Sequence, residues 1–210
     1  MKKQYNFDPE KLTSEKKLWD VYLLSRKIKI SNFNFYFCVA VFIGLMINAH
    51  YIDNHSIIIQ DIRSFVSFGF TFSITTLGLL IAGFTIFATL AKPEMLLRMM
   101  EHKNEKTQIE TLKYNFIVFM RVFIHYLITS FIYLFMFFIF GQQSQGVMNK
   151  VVHLISIDFL SPYCILNFIY SFTGMTLIYL LLLLKSFIFN IYAIIMAMLR
   201  WEYYVQQQGD

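Results

Sequence analysis

Residues 163–184 read YCILNFIYSFTGMTLIYLLLLL, without one Asp, Glu, Lys or Arg. A helix needs about 20 mostly apolar residues to cross the hydrocarbon core of a bilayer, and this stretch supplies them. Working outward from it, three further stretches have the same character: residues 116–140, 65–91 and 33–49. The last is the shortest, with Asn34 and Asn48 near its ends. Across the 210 residues 57% are hydrophobic and only 15% charged, whereas soluble domains carry about 25% charged residues. Phe alone occurs 24 times, against 13 for Asp and Glu together. No soluble interior of this size hides so much apolar surface. The sequence predicts an all-α integral membrane protein with four transmembrane helices in a single domain. Composition excludes a disordered chain, a disulfide scaffold and a secreted enzyme.

Orientation follows from the basic residues in short loops. Segment 1–32 holds Lys2, Lys3, Lys11, Lys16, Lys17, Arg26, Lys27 and Lys29; loop 92–115 holds Lys92, Arg98, Lys103, Lys106 and Lys113; the tail adds Arg200. The other two loops, 50–64 and 141–162, hold only Arg63 and Lys150. This asymmetry predicts both termini and the central loop in the cytoplasm, with residues 50–64 and 141–162 facing outward. The 32 polar and amphipathic residues before the first span argue for a retained segment and not a cleaved signal peptide. Pro9, Pro93 and Pro162 all avoid the spans, and Ser161–Pro162 has the form of an N-cap and first helical residue. Cys38 and Cys164 fall near opposite faces of this topology, which makes a disulfide between them improbable.

Outside the spans, residues 10–30 read EKLTSEKKLWDVYLLSRKIKI and place Leu12, Trp19, Tyr22 and Leu23 near one helical face. A basic amphipathic helix of this kind lies on the anionic inner leaflet or docks a soluble partner. Loop 92–115 has Glu94–Arg98 and Glu110–Lys113 at helical spacing, and its Met95, Leu96, Leu97, Met99, Met100 cluster suits a neighbouring helix. Beyond Lys185 the chain stays apolar through SFIFNIYAIIMAM and ends LRWEYYVQQQGD. Either it continues as one long helix or it bends along the membrane. With Trp19, the positions Lys185, Arg200 and Trp201 form the candidate docking set for a cytoplasmic partner.

No catalytic motif and no cofactor or metal signature emerges. His50, His55, His102, His125 and His153 are scattered, and the YIDNHS stretch reads best as a solvated loop. Inside the third span Arg121 and His125 stand four apart, on one face, as candidate intramembrane polar residues. The second span repeats small side chains every four residues: Gly69 and Ser73, Gly78 and Ala82, with Ser67, Thr71 and Thr75, and Thr85 and Thr89. Such spacing lets helix backbones approach, either within one subunit or between copies, so Gly69, Ser73, Gly78 and Ala82 are the candidate contact residues.

Residues 77–101, LGLLIAGFTIFATLAKPEMLLRMME, carry a small-residue span straight into a charged loop. This stretch and the four-span plan resemble the KwaA family, the membrane subunits of the bacterial Kiwa antiphage defence system. The resemblance implies an inner-membrane homo-oligomer, a tetramer, that senses infection and works with a soluble, DNA-binding, KwaB-like partner protein. It implies no direct nucleic-acid binding by the membrane subunit, and it supplies no catalytic positions. A non-catalytic sensor or scaffold is therefore expected. An oligomeric pore or membrane-disrupting effector is the competing expectation, and a small transporter or assembly factor a third.

Overall fold

The computed structural model describes residues 7–28, 31–105, 107–141 and 162–207. Ser161, Lys150 and nearly all of the second outer loop lie outside that set. A 3-10 turn, Pro9–Thr13, is followed by helices α1 (Leu18–Ser25), α2 (Asn32–His50), α3 (His55–Leu90), α4 (Pro93–Glu101), α5 (Thr111–Phe140) and α6 (Pro162–Gln207). No strand occurs among the described residues, where the single β-bridge joins Lys103 to Glu110. Four helices, α2, α3, α5 and α6, are long and apolar enough to cross a membrane. Their β-branched and aromatic content is no obstacle, because backbone amides in hydrocarbon must bond within their own segment.

Element boundaries depart from the sequence reading in three places. The spans expected from 65 and 116 begin earlier, at His55 and Thr111, so loop 50–64 shrinks to residues 51–54. Asn54 causes the first shift: its side-chain oxygen accepts the Ser56 amide at 3.0 Å and caps the helix. The predicted N-terminal helix is broken. Asp20 accepts the backbone amides of Lys16 and Lys17 at 3.2 and 3.0 Å, which starts a fresh helix of only 8 residues. The open alternative for the tail resolves as one helix: α6 runs unbroken through Lys185 for 46 residues, about 69 Å at 1.5 Å per residue. Loop 92–115 contains the expected helix, α4, with Pro93 in its first turn. It then turns tightly at Gln108, in left-handed backbone with φ 58.

Residue contacts divide the chain into two compact units. One comprises Ile30–Leu77 and His125–Leu183, the other Met1–Lys29, Gly78–Ile124 and Leu184–Asp210. They are called here the tyrosine unit and the phenylalanine unit, after the side chains at their centres.

The tyrosine unit is joined by hydroxyls. Tyr126 and Tyr133, on α5, are 0% and 1% exposed. Tyr126 donates to the Leu180 carbonyl of α6 at 2.7 Å. Tyr133 donates to the Thr173 carbonyl at 3.1 Å and lies 2.7 Å from the Thr176 hydroxyl. Asn48 of α2 donates to the Tyr170 hydroxyl at 3.0 Å, and Arg63 Nε of α3 to the Phe140 carbonyl at 2.7 Å. Each bond crosses between helices, and each side chain gives a polar tip a partner it would lack in lipid. Cys38 and Cys164 are both free thiols.

The phenylalanine unit is joined by rings. Phe84 and Phe87 of α3 meet Phe116 and Phe119 of α5 at centroid distances of 5.3–6.3 Å. Phe119 meets Phe187 of α6 at 5.5 Å, edge to face, a preferred geometry for aromatic pairs. Met95 and Met100 of α4 are buried, as are Ile109 and Leu112 of the same unit. Ionic ties complete it. Lys113 reaches the Glu15 carboxylate at 2.9 Å and the Ser14 hydroxyl at 2.5 Å, and Lys92 reaches Glu202 at 2.6 Å.

Candidate functional site

The small-residue face of α3 does not act as one surface. Gly69 and Ser73 are buried in the tyrosine unit. A Cβ at Gly69 would overlap the Tyr133 ring, and the Ser73 hydroxyl is taken by the Gly69 carbonyl one turn back. The smallness of Gly69 is thus explained by α5 of the same chain. In the phenylalanine unit, Gly78 and Ala82 are exposed, and nothing lies within 4 Å of a Cβ built on Gly78. Thr85 and Thr89, further along, return their hydroxyls to carbonyls of their own helix at 2.9 and 3.0 Å. The result is a smooth, shallow strip.

Arg121 and His125 share a face of α5 but have separate partners. Arg121 Nη1 donates to the Ile28 carbonyl at 2.7 Å, which ties the end of the N-terminal segment to α5. His125 Nδ1 lies 2.8 Å from the Tyr179 hydroxyl of α6. Among the described residues no group of three His, Cys, Asp or Glu side chains is placed to hold a metal. His55, from the YIDNHS stretch, instead stacks on Tyr163 at 4.2 Å.

The candidate docking residues all lie in the phenylalanine unit. Trp19 is 64% exposed and leans on Tyr22 at 5.2 Å. Lys185 and Arg200 are exposed, Trp201 partly buried, and the Arg200 guanidinium sits 5.7 Å from the Tyr204 ring centre. Around them α6 presents Ile188, Tyr192, Ile195 and Leu199 to the outside, spaced by four, three and four residues, with Phe189 66% exposed beside them. That is one continuous apolar stripe on a helix, while Phe187 and Ile194 occupy the buried side.

Charge follows the same division. The phenylalanine unit's ranges hold every Lys and Arg except Arg63 and Lys150, and every Asp and Glu except Asp53, Asp61 and Asp158. Its Glu15 loses solvation on burial, which opposes ionisation, yet the Lys113 ammonium and the Ser14 hydroxyl outweigh that and hold its carboxyl below the ordinary value.

Sequence reasoning missed the tyrosine bonds and both ion pairs. Tyr126 and Tyr133, seven apart on one face of α5, were a visible signal for the former. The Lys92–Glu202 and Lys113–Glu15 pairs span 110 and 98 residues, beyond any local pattern.

A helical chain with four such helices is a multi-pass membrane protein. Comparison with known protein families, curated proteins and solved structures finds no match.

Proposed function

We propose that this chain is a non-catalytic sensor or scaffold subunit of the bacterial inner membrane, with both termini cytoplasmic, that associates with copies of itself and recruits a soluble partner. The observation that carries this reading is the phenylalanine unit. It combines most of the charge in the chain with an exposed apolar stripe on α6, continuing well past the length a span requires. A surface of that composition suits protein recognition, with apolar anchors inside a charged rim. The exposed Gly78–Ala82 strip supports self-association, since among the described residues nothing lies within 4 Å of a Cβ built on Gly78. The resemblance of residues 77–101 to KwaA-type subunits supports an antiphage role with a KwaB-like, DNA-binding partner.

The test is co-expression with a KwaB-like soluble protein, followed by purification through a tag on the membrane subunit. Co-purification that is lost in a Tyr192→Glu, Leu199→Glu variant of normal oligomer size supports recruitment. If the partner stays bound to that variant, the α6 stripe is not the docking surface. Ion flux from liposomes carrying the purified chain alone would favour a pore.

A further inference from the structure

The tyrosine unit's helical stretches, 32–50, 55–77, 125–140 and 162–183, are each about 24–35 Å long. That is close to the roughly 30 Å of hydrocarbon in a bilayer. Within them Asp61 and Arg63, near one end of α3, are the only acidic or basic side chains apart from histidine. The chain passes between this unit and the phenylalanine unit at 29/30, 77/78, 124/125 and 183/184, and at three of those places a cation of the phenylalanine unit lies within four residues.

Those cations are gathered by contacts inside the phenylalanine unit. Phe119 touches Phe187. Arg121 follows the first by two residues and Lys185 precedes the second by two, so each lies about 3 Å of helix rise from that contact. Arg121 also holds the Ile28 carbonyl, which brings in Arg26 and Lys27, both exposed. The other end of that segment meets α5 through Glu15 on Lys113, so residues 15–28 are tied to α5 at two points. Long cationic side chains at the end of a span place their charge among headgroup phosphates while their stems stay in apolar surroundings.

We propose that Arg26, Lys27, Arg121 and Lys185 form a belt that binds the phosphate of anionic phospholipid headgroups, and that one face of the bilayer lies at their level. Stretches 125–140 and 162–183, which adjoin Arg121 and Lys185 in the chain, then enter the hydrocarbon, and α1 and the end of α6 stand outside it. A lipid is favoured over a soluble phosphate because Arg121 and Lys185 stand within four residues of helical stretches, 125–140 and 162–183, that carry no Asp, Glu, Lys or Arg and approach the thickness of the hydrocarbon core. The inference rests on the multi-pass membrane fold alone and needs neither the sensor reading nor a direction of insertion.

Two measurements test it. The first is native mass spectrometry of the detergent-solubilised protein titrated with phosphatidylglycerol, phosphatidylcholine or inorganic phosphate. Phosphatidylglycerol should bind preferentially, and Lys27→Gln and Lys185→Gln should each weaken it about fivefold without changing phosphatidylcholine binding or far-UV circular dichroism. Equal binding of the two lipids, no effect of both substitutions, or displacement of phosphatidylglycerol by millimolar inorganic phosphate overturns the lipid assignment. The second uses the two native tryptophans, Trp19 and Trp201. In nanodiscs of lipid brominated at mid-chain their fluorescence should be nearly unquenched, while aqueous acrylamide quenches it. Strong mid-chain quenching places them in hydrocarbon and overturns the position of the belt.

Discussion

The tyrosine and phenylalanine units solve the same problem, holding long helices together, with different chemistry. In the first, helices are fastened by buried hydroxyls aimed at carbonyls of the next helix, and by a glycine that lets a ring lie on bare backbone. In the second, they are fastened by interlocked rings, with ion pairs at the margin. The difference has a physical basis. Where lipid surrounds a helix, apolar side chains gain little by leaving it for protein, so close approach and hydrogen bonds decide which helices pair. Where water is the alternative, burying a ring is itself strongly favourable, and charged groups can remain at the edge.

The comparison can be broken most readily at the ring cluster. Phe119, 3% exposed, touches Phe84, Phe87 and Phe187; Phe119→Ala should destabilise the chain by about 3 kcal/mol, seen as a lower thermal midpoint in detergent. A cost near zero would mean that lipid or detergent fills the gap and the unit is not water-facing. Next comes α3. Gly69→Val overlaps the Tyr133 ring and should cost about 1–3 kcal/mol. Gly78→Leu, at an open position, should stay within about 0.5 kcal/mol for the monomer while reducing oligomer size on a sizing column. Equal effects of the two on monomer stability would erase the distinction between the buried and exposed strips.

Tyr133→Phe removes one hydroxyl from the Thr173 and Thr176 pair and should cost about 0.6 kcal/mol, the usual scale for such bonds in membranes. A double-mutant cycle with Thr176→Val isolates the pairwise part. Smallest is the ionic tie at Glu15. Its carboxyl is held below the ordinary value in the native state, so its contribution is present above the ordinary carboxylate range and is lost as pH falls through the lower native value. Glu15→Gln should therefore cost about 0.5 kcal/mol at neutral pH, less at high salt, and nothing once pH is below the native value. Thermal midpoints of both proteins across that range check the sign.

Much of this molecule was legible before any coordinates. A run such as 163–184 has one low-energy structure in hydrocarbon, a helix, so the four spans followed from composition and length. Helix ends were less legible because they depend on single side-chain bonds, as Asn54 and Asp20 show by moving two boundaries. Small-residue spacing singled out α3, but it could not separate Gly69 from Gly78. Both look alike in sequence, and only the position of Tyr133, 64 residues further on, distinguishes them.

The sequence by itself determined that the chain is helical, that it carries four bilayer-length apolar helices, and that its charge is concentrated in three segments, because those properties depend on local hydropathy. Tertiary structure decided that α6 continues unbroken beyond Lys185, that Arg121 holds the N-terminal segment at Ile28, and which half of the α3 face is already taken. Those outcomes are set by which residues meet across long separations. Local hydropathy carries no information about such meetings; steric fit and the direction of each donor select them.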